Sequence, residues 1–274
     1  MSIKNFLDFK LAFLIIFFVF TQEINAFSKN TKFKFNNFYE NQVKIKNLIF
    51  DLPEGKWRFI KKTSQTIPRT NLLVNCHEFI IEKKKIVSDT LSICLITTGG
   101  KWTSLISSEL LNILKNDKYD NCRLKPEYYY AQLISKGTSM NCFKFRHIDT
   151  YKEINFPDDP TTRNGYFKNY LQENKIGIPK VMIGSYHFIY SPTIKDLGIE
   201  IIHFIDPESY GAPKTLNGDE LFGEYHKNNI DNFLEKKIFV KNFFINKIDF
   251  HKNFENLLNI TIKNKLNFEN PIKF

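Results

Sequence analysis

Three lysines join two long strand-like segments, and this short connection limits the possible folds more strongly than any other part of the sequence. The segments 72–82 and 86–98 are rich in Ile, Leu, Val and Phe, and Lys83-Lys84-Lys85 lies between them. So short a connection can join antiparallel strands but not parallel strands, which need a crossover of a dozen or more residues. The sequence therefore predicts a β-hairpin here.

Further strand-like segments follow one another along the chain. Residues 127–135 and 139–150 form one candidate pair, 180–190 and 197–206 form a second, and 56–62 is a candidate first strand. Each segment is bounded by turn residues such as Gly, Pro, Asn and Asp, as is typical of strands. We expect these pairs to be antiparallel.

Helices are predicted where the apolar period changes from two residues to three or four. This spacing is found over 103–116, over 164–175 and in one or two stretches of the last quarter of the chain. Antiparallel hairpins combined with such helices predict the α+β class, in which helices pack on an antiparallel sheet and the C-terminus is helical.

The N-terminus carries the three-part pattern of a secretory signal peptide. Lys4 and Lys10 flank the start of an unbroken apolar run of ten residues, Leu11–Phe20, and a mostly polar stretch then ends at Ala26. A membrane-spanning helix needs about 20 apolar residues, so cleavage after Ala26 is favoured over an uncleaved anchor. We expect residues 1–26 to be removed and the mature protein to be exported, to the periplasm or beyond.

The rest of the chain divides into three parts. Residues 27–43 are polar, basic and aromatic, which predicts a flexible lead. Residues 44–226 contain the predicted strand pairs and are expected to form a single α+β domain, and residues 227–274 are expected to form a C-terminal helical segment.

The net charge of +10 is concentrated at the two ends of the mature chain. Residues 27–70, for example, contain ten Lys or Arg against three Asp or Glu. Such a surplus could attract an anionic envelope component or a lipid surface. Only five of the 39 basic residues are arginine, the side chain best suited to bidentate recognition of bases and phosphates, so no nucleic-acid partner is expected. A compositional bias toward Lys, Asn, Phe and Ile explains the charge without a partner.

The four cysteines, Cys76, Cys94, Cys122 and Cys142, all follow the predicted signal peptide. An even number in an exported chain predicts two disulfides. Counting outward from the lysine turn places Cys76 and Cys94 opposite each other, which leaves Cys122 and Cys142 to close a loop of about 20 residues. The alternative is that some stay reduced as small buried apolar side chains. Their spacing lacks the close ligand pairs of a zinc site, so no metal and no cofactor is predicted.

Two histidines are the weak candidates for catalysis. His187 and His203 lie on the paired segments 180–190 and 197–206 and are expected to be diagonal neighbours on one sheet face. Such a pair could share a metal or act as acid and base, with His147 or Asp149 as a further ligand if that strand lies alongside. Their neighbours on the same face are mainly Ile and Val, which favours a structural role.

Other polar groups carry weaker signals. The acids at Asp158-Asp159 and at Asp206 and Glu208 lie in proline-containing loops, where they are more simply turn residues than a glycosidase pair. Ser185 follows a glycine but lacks the spacing of a nucleophile elbow.

The sequence therefore predicts an exported soluble protein with a binding or structural role in the cell envelope. One alternative is a small exported hydrolase or metal-binding protein that uses His187 and His203. The other is a peripheral protein whose basic ends and C-terminal amphipathic helices contact an anionic membrane surface.

Overall fold

The computed structural model describes most of the chain after residue 31, in the ranges 32–46, 48–67, 72–98, 122, 124–125, 128–136, 139–155, 163–191, 197–264 and 272. The expected signal peptide, the helix predicted over 103–116 and the Asp158-Asp159 pair lie outside these residues.

Ten strands are found within the described ranges, and every pairing between them is antiparallel. Their bounds are β1 Phe38–Tyr39, β2 Gln42–Ile45, β3 Leu48–Asp51, β4 Trp57–Ile67, β5 Leu72–Lys83, β6 Ile86–Thr98, β7 Tyr128–Lys136, β8 Ser139–Asp149, β9 Val181–Ser191 and β10 Leu197–Ile205. Eight of them form one sheet in the order β1-β4-β5-β6-β10-β9-β8-β7, and β2 pairs with β3 separately.

The described helices are fewer than the strands. They are α1 (Thr150–Asn155), α2 (Arg163–Glu173) and the long C-terminal α3 (Leu234–Asn264), with short 3-10 helices at Pro207–Tyr210 and Ile230–Asn232. The structure is thus mostly antiparallel sheet with a few helices, including one at the C-terminus. The α+β prediction fits broadly, although strands dominate. None of the described helices is long and apolar enough to cross a membrane.

The centre of the main sheet is formed by strands that are distant in sequence. β1, β4, β5 and β6 follow one another from one edge. β7, β8, β9 and β10 follow one another from the other edge, and β6 pairs with β10 in the middle. This pairing places Asp89 of β6 opposite Ile205 and Leu91 opposite His203 of β10. Residues from the two halves of the chain therefore meet at the centre of the sheet.

The β5–β6 connection is a tight turn. Lys84 and Lys85 form its two central residues, and both have positive φ, 51° and 63°. Two-residue hairpin turns favour this left-handed conformation because it matches the twist of the strands. In the resulting register Cys76 of β5 pairs directly with Cys94 of β6.

The two faces of the main sheet are covered differently. α3 and the β2–β3 pair cover one face, where Phe250 and Phe254 of α3 share an apolar cluster with Phe50 of β3 and Ile201 of β10. On the other face α2 contributes a second cluster, and the cysteines join a third. Because successive side chains of a strand point to opposite faces, each central strand contributes to both layers.

Part of the segment 27–43, which is predicted to be a flexible lead, lies within the described residues and takes part in this packing. β1 lies within it, and the ring of Phe33 lies 5.0 Å from that of Phe59. Phe33 and Tyr39 therefore pack against the apolar cluster of the covered face, whereas Phe35 and Phe38 are exposed.

Candidate functional site

A group of polar side chains lies between α3 and the main sheet, surrounded by apolar residues. We call it the buried polar cluster, and its members come from five elements: Asp89 of β6, Asn141 of β8, Ser185 and His187 of β9, His203 of β10, and Lys247 and His251 of α3. All seven are buried. Buried polar groups are costly unless they are hydrogen-bonded, so their mutual contacts determine what the cluster can do.

One arm of the buried polar cluster runs from β9 to β8 through α3. The Ser185 hydroxyl lies 2.7 Å from Nε2 of His187. Nδ1 of His187 lies 3.1 Å from Nδ1 of His251, and Nε2 of His251 lies 2.5 Å from Oδ1 of Asn141. These are hydrogen-bonding distances, so the four side chains form a continuous chain.

The Asn141 oxygen fixes the direction of that chain. Because Oδ1 only accepts, His251 donates from Nε2 and its neutral Nδ1 then accepts from Nδ1–H of His187. This leaves Nε2 of His187 without a hydrogen, so the Ser185 hydroxyl donates to it. The assignment follows from the orientation of the Asn141 amide and from neutral imidazoles.

The second arm joins α3 to β10 and β6. Nζ of Lys247 lies 2.8 Å from Nδ1 of His203, and Nε2 of His203 lies 3.6 Å from Oδ1 of Asp89. Asp89 also accepts hydrogen bonds from the hydroxyls of Ser88 and Tyr210, both at 2.7 Å. His203 therefore lies between a cation and an anion whose charges compensate each other.

Burial controls the protonation of this site. It lowers the pKa of His203 and of His251 to about 4, with the charge of Lys247 acting further on His203. It also lowers the pKa of His187 well below its ordinary value and that of Lys247 to about 8. Burial alone would raise the pKa of Asp89, but the contacts with His203, Ser88 and Tyr210 lower it. Near neutral pH the cluster holds neutral imidazoles, a charged lysine and a carboxylate.

Aromatic rings enclose the imidazoles. The ring of Phe143 stacks on both His187 and His251, with centroids 5.0 Å apart in each case. Phe250 meets His187 edge-on at 4.7 Å, and Trp57 meets His203 edge-on at 5.8 Å. These rings exclude water from the imidazoles, which strengthens the hydrogen bonds among them and raises the cost of a charge.

The two histidines singled out from the sequence share a sheet face but take different partners. The residue opposite His187 is Ile201, and the residue opposite His203 is Ser185, so the two imidazoles lie on a diagonal. Each makes its hydrogen bond across the layer to α3, His187 to His251 and His203 to Lys247. Their roles are therefore set by the helix as much as by each other.

The further ligands considered with them lie elsewhere. His147 is bonded through Nε2 to the Glu220 carbonyl at 3.1 Å, and Asp149 accepts from the backbone N–H of Tyr151 at 3.0 Å. Within the described residues no group of three or more His, Cys, Asp or Glu side chains is arranged to hold a metal ion.

The acids of the 206–218 loop have local structural roles. Asp206 accepts from the Glu208 backbone N–H at 3.1 Å and from the Ser209 hydroxyl at 2.6 Å, which caps the short helix that follows. Glu208 accepts from the Thr215 backbone N–H at 2.7 Å. These contacts are those of turn residues, as the loop composition predicts.

Both cysteine pairs lie at disulfide distance. Cys76 pairs with Cys94 across β5 and β6, and Cys122 pairs with Cys142 of β8. All four are buried, in an apolar cluster with Phe188 and Tyr190. That cluster lies on the sheet face opposite the buried polar cluster, because Phe188 alternates with His187 along β9.

The sequence did not point to Lys247 and His251 of α3, nor to Asp89 and Asn141 in the strands. Lys247 and His251 occupy buried positions of a helix whose other inward residues include Val240, Phe250 and Phe254. A polar residue at an inward position of an apolar stripe was the available signal. It shows which residues are inward but not that they meet His203 and His187.

No protein-family model, no curated protein and no solved structure matches this chain. Its function is therefore inferred from its sequence and from the geometry of the site.

Proposed function

We propose that this protein is exported, works in the cell envelope or periplasm, and has a binding or structural role rather than a catalytic one. The observation that carries this proposal is that its reactive side chains are buried and hydrogen-bonded to one another. Ser185, His187, His203, Lys247 and His251 are all buried and all bonded within the buried polar cluster. A catalytic group must instead reach its substrate at hydrogen-bond distance.

Export is supported by the cysteines and the N-terminal sequence together. Disulfides persist in oxidising compartments and are rare in the cytosol. They are compatible with an exported protein without being diagnostic of one, so the apolar run Leu11–Phe20 before Ala26 adds a separate reason.

Intact mass of the protein recovered from its native compartment tests the export proposal. We expect a chain that begins at Phe27, with all four cysteines protected from alkylation until it is reduced. A chain that retains residues 1–26, or one with thiols alkylated without reduction, would contradict it. Metal analysis of the same sample tests the histidine alternative, since a stoichiometric metal that is lost in His187→Gln would favour a metal-binding protein.

A hydrolase is the second candidate, and one contact favours it. The Ser185 hydroxyl donates to Nε2 of His187 at 2.7 Å, which is the relation of a nucleophile to its base. The other nitrogen of His187 faces His251 rather than a carboxylate, and Ser185 is only 1% exposed. Substrate would have to enter beneath α3.

A fluorophosphonate probe separates the two candidates. A hydrolase predicts covalent labelling at Ser185 that disappears in Ser185→Ala and falls sharply in His187→Gln. The binding or structural proposal predicts no labelling at Ser185 in the folded protein. Ser64→Ala is the matched control for background labelling, because Ser64 is exposed to solvent.

Docking on an anionic membrane surface has weaker support. The apolar side of α3 is occupied by the sheet, where Val240, Phe250 and Phe254 are buried. The outward side mixes exposed Ile238 and Ile245 with lysines and acids. Salt-sensitive binding to anionic vesicles, compared with neutral vesicles, would favour this third function.

A further inference from the structure

Two contacts join α3 to the sheet through the buried polar cluster, and each requires one imidazole Nδ1 atom that carries no proton. Nζ of Lys247 lies 2.8 Å from Nδ1 of His203, and that nitrogen accepts a hydrogen bond only while it carries no proton. His251 and His187 face each other through Nδ1 atoms 3.1 Å apart. We propose that α3 is a proton-operated clasp, closed on the sheet while these imidazoles are neutral and opened when they take up protons in mild acid.

A proton on His203 acts directly on the Lys247 contact. It converts Nδ1 from an acceptor into a donor, so the ammonium loses this acceptor and a second positive charge appears beside it. Asp89 offers a negative charge 3.6 Å from the other side of the ring, but it already compensates Lys247. Like charges held close together in a water-poor site repel strongly, and moving the helix relieves the repulsion.

The contact between His187 and His251 responds in two steps. The space between the two Nδ1 atoms holds one hydrogen. A first added proton can be placed on Nε2 of His187, where the Ser185 hydroxyl turns to accept it, at the cost of a buried charge. A second proton leaves two N–H groups facing each other. Each added proton places a positive charge near Lys247, and α3 supplies no new hydrogen-bond acceptor to compensate it.

The groups that face this site give an excess of positive charge in acid. The titratable groups around it are Asp89 from β6, His187 from β9, His203 from β10, Tyr210 from the 3-10 helix, and Lys247 and His251 from α3. Asn141 of β8 and Trp57 of β4 contribute contacts but no charge. Full protonation of the imidazoles would set four positive charges against one carboxylate.

The opening is expected at the middle of α3 and not at its start. Near the N-terminal end, Lys236 forms an ion pair with Glu224 and donates to the Lys214 carbonyl at 2.9 Å. Neither contact involves an imidazole. The sheet beneath keeps its strand pairing on both sides of β9 and β10. Acid therefore loosens the helix around 247–254 while its start remains attached.

The linkage between protonation and opening sets the pH range over which α3 opens. The pKa of His203 and of His251 is lowered to about 4 in the closed structure, whereas an exposed histidine titrates near 6.5. The closed form therefore binds fewer protons than the open form between these values, and opening becomes easier as the pH falls from about 6.5 to about 4.

Amide hydrogen exchange of the full mature chain, read by mass spectrometry and corrected for the chemical exchange rate, tests the clasp. From about pH 7.5 to about pH 5 we expect the protection of peptides covering 244–254 to fall at least about tenfold relative to β6 peptides. Peptides covering 234–240 should fall less. Equal losses in all three regions would show unfolding of the whole domain and would overturn the proposal, as would unchanged protection.

Two variants separate the clasp from general acid sensitivity. Lys247→Met removes the cation that a protonated His203 repels, so the change in protection with pH should become shallower. His77→Gln is the matched control, because His77 is buried on the same sheet face, has its pKa lowered to about 4 and packs on Phe33 and Phe59. It should leave the α3 response unchanged. If Lys247→Met does not fold, the wild-type comparison of the three regions decides alone.

Discussion

The two faces of the main sheet are stabilised by different chemistry, although the same strands provide both. The face that carries Cys76, Cys94 and Cys142 combines apolar packing with covalent links. The face beneath α3 combines apolar packing with hydrogen bonds among His187, His203 and their partners. Covalent links do not depend on protonation in mild acid, whereas the imidazole contacts do. Acid and reductant should therefore act on opposite faces of one sheet.

Acid should produce the largest change in stability. Because the folded pKa of His203 and of His251 is lowered to about 4, the stability they contribute is complete above their unfolded pKa of about 6.5 and is lost as pH falls toward 4. Each histidine accounts for up to roughly 3 kcal/mol. Urea unfolding measured across this range should show the decline. A constant free energy of unfolding from about pH 7 to about pH 4.5 would contradict a contribution of the imidazole contacts to stability.

Removal of one disulfide should cost about as much as the loss of one of these histidine contributions, but without this pH dependence. Cys76 and Cys94 are 18 residues apart, and closing a loop of that size stabilises a fold by about 3 kcal/mol. We therefore expect Cys76→Ala with Cys94→Ala to lower the free energy of unfolding by about that amount. The loss should be the same at neutral and at acid pH. A loss found only in acid would mean that the two faces are coupled.

Asp89→Asn should have the next largest effect. The change removes the charge that compensates Lys247 and replaces one of the two carboxylate oxygens, which accept separately from the Ser88 and Tyr210 hydroxyls, so a loss of about 2 kcal/mol is expected. Asp249→Asn is the matched control, since Asp249 is exposed on α3 and lies 3.8 Å from Lys252. Its effect should be near zero. Equal effects of the two substitutions in urea unfolding would contradict the compensation of Lys247 by Asp89.

The smallest effect is expected on the outward side of α3. Ile238 is 50% exposed, so Ile238→Ser should change the free energy of unfolding by less than about 0.5 kcal/mol. Val240→Ala, at a buried position two residues away, should lower the free energy of unfolding by more than about 1 kcal/mol. A large decrease in the free energy of unfolding of Ile238→Ser would indicate that a partner covers this side of α3 in solution. A measurement of molecular size in solution would then detect that partner.

Local sequence signals predicted the strands well because they depend on near neighbours. The apolar segments 72–82 and 86–98, with only three lysines between them, were enough to expect the antiparallel pairing of β5 and β6. The diagonal relation of His187 and His203 followed from counting outward from the turn between segments 180–190 and 197–206. Both inferences need only a turn and a period of two.

The buried polar cluster could not be predicted in the same way. Asp89, His203 and Lys247 are far apart in sequence and meet because β6 pairs with β10 and α3 crosses that face. No local period encodes either event. The burial of Lys247 also opposes the usual preference of lysine for solvent, and it is tolerated because His203 and Asp89 complete its environment.

The most direct test of this account is an NMR titration of the imidazoles of His187, His203 and His251 in the mature protein. We expect that none of the three imidazoles takes up a proton between about pH 8 and about pH 5.5 while α3 is closed. Their protonation at lower pH should coincide with loss of the α3 amide signals around 247–254. Ordinary titration near 6.5 with α3 signals unchanged would contradict the central claim that these contacts hold the helix only in their neutral form.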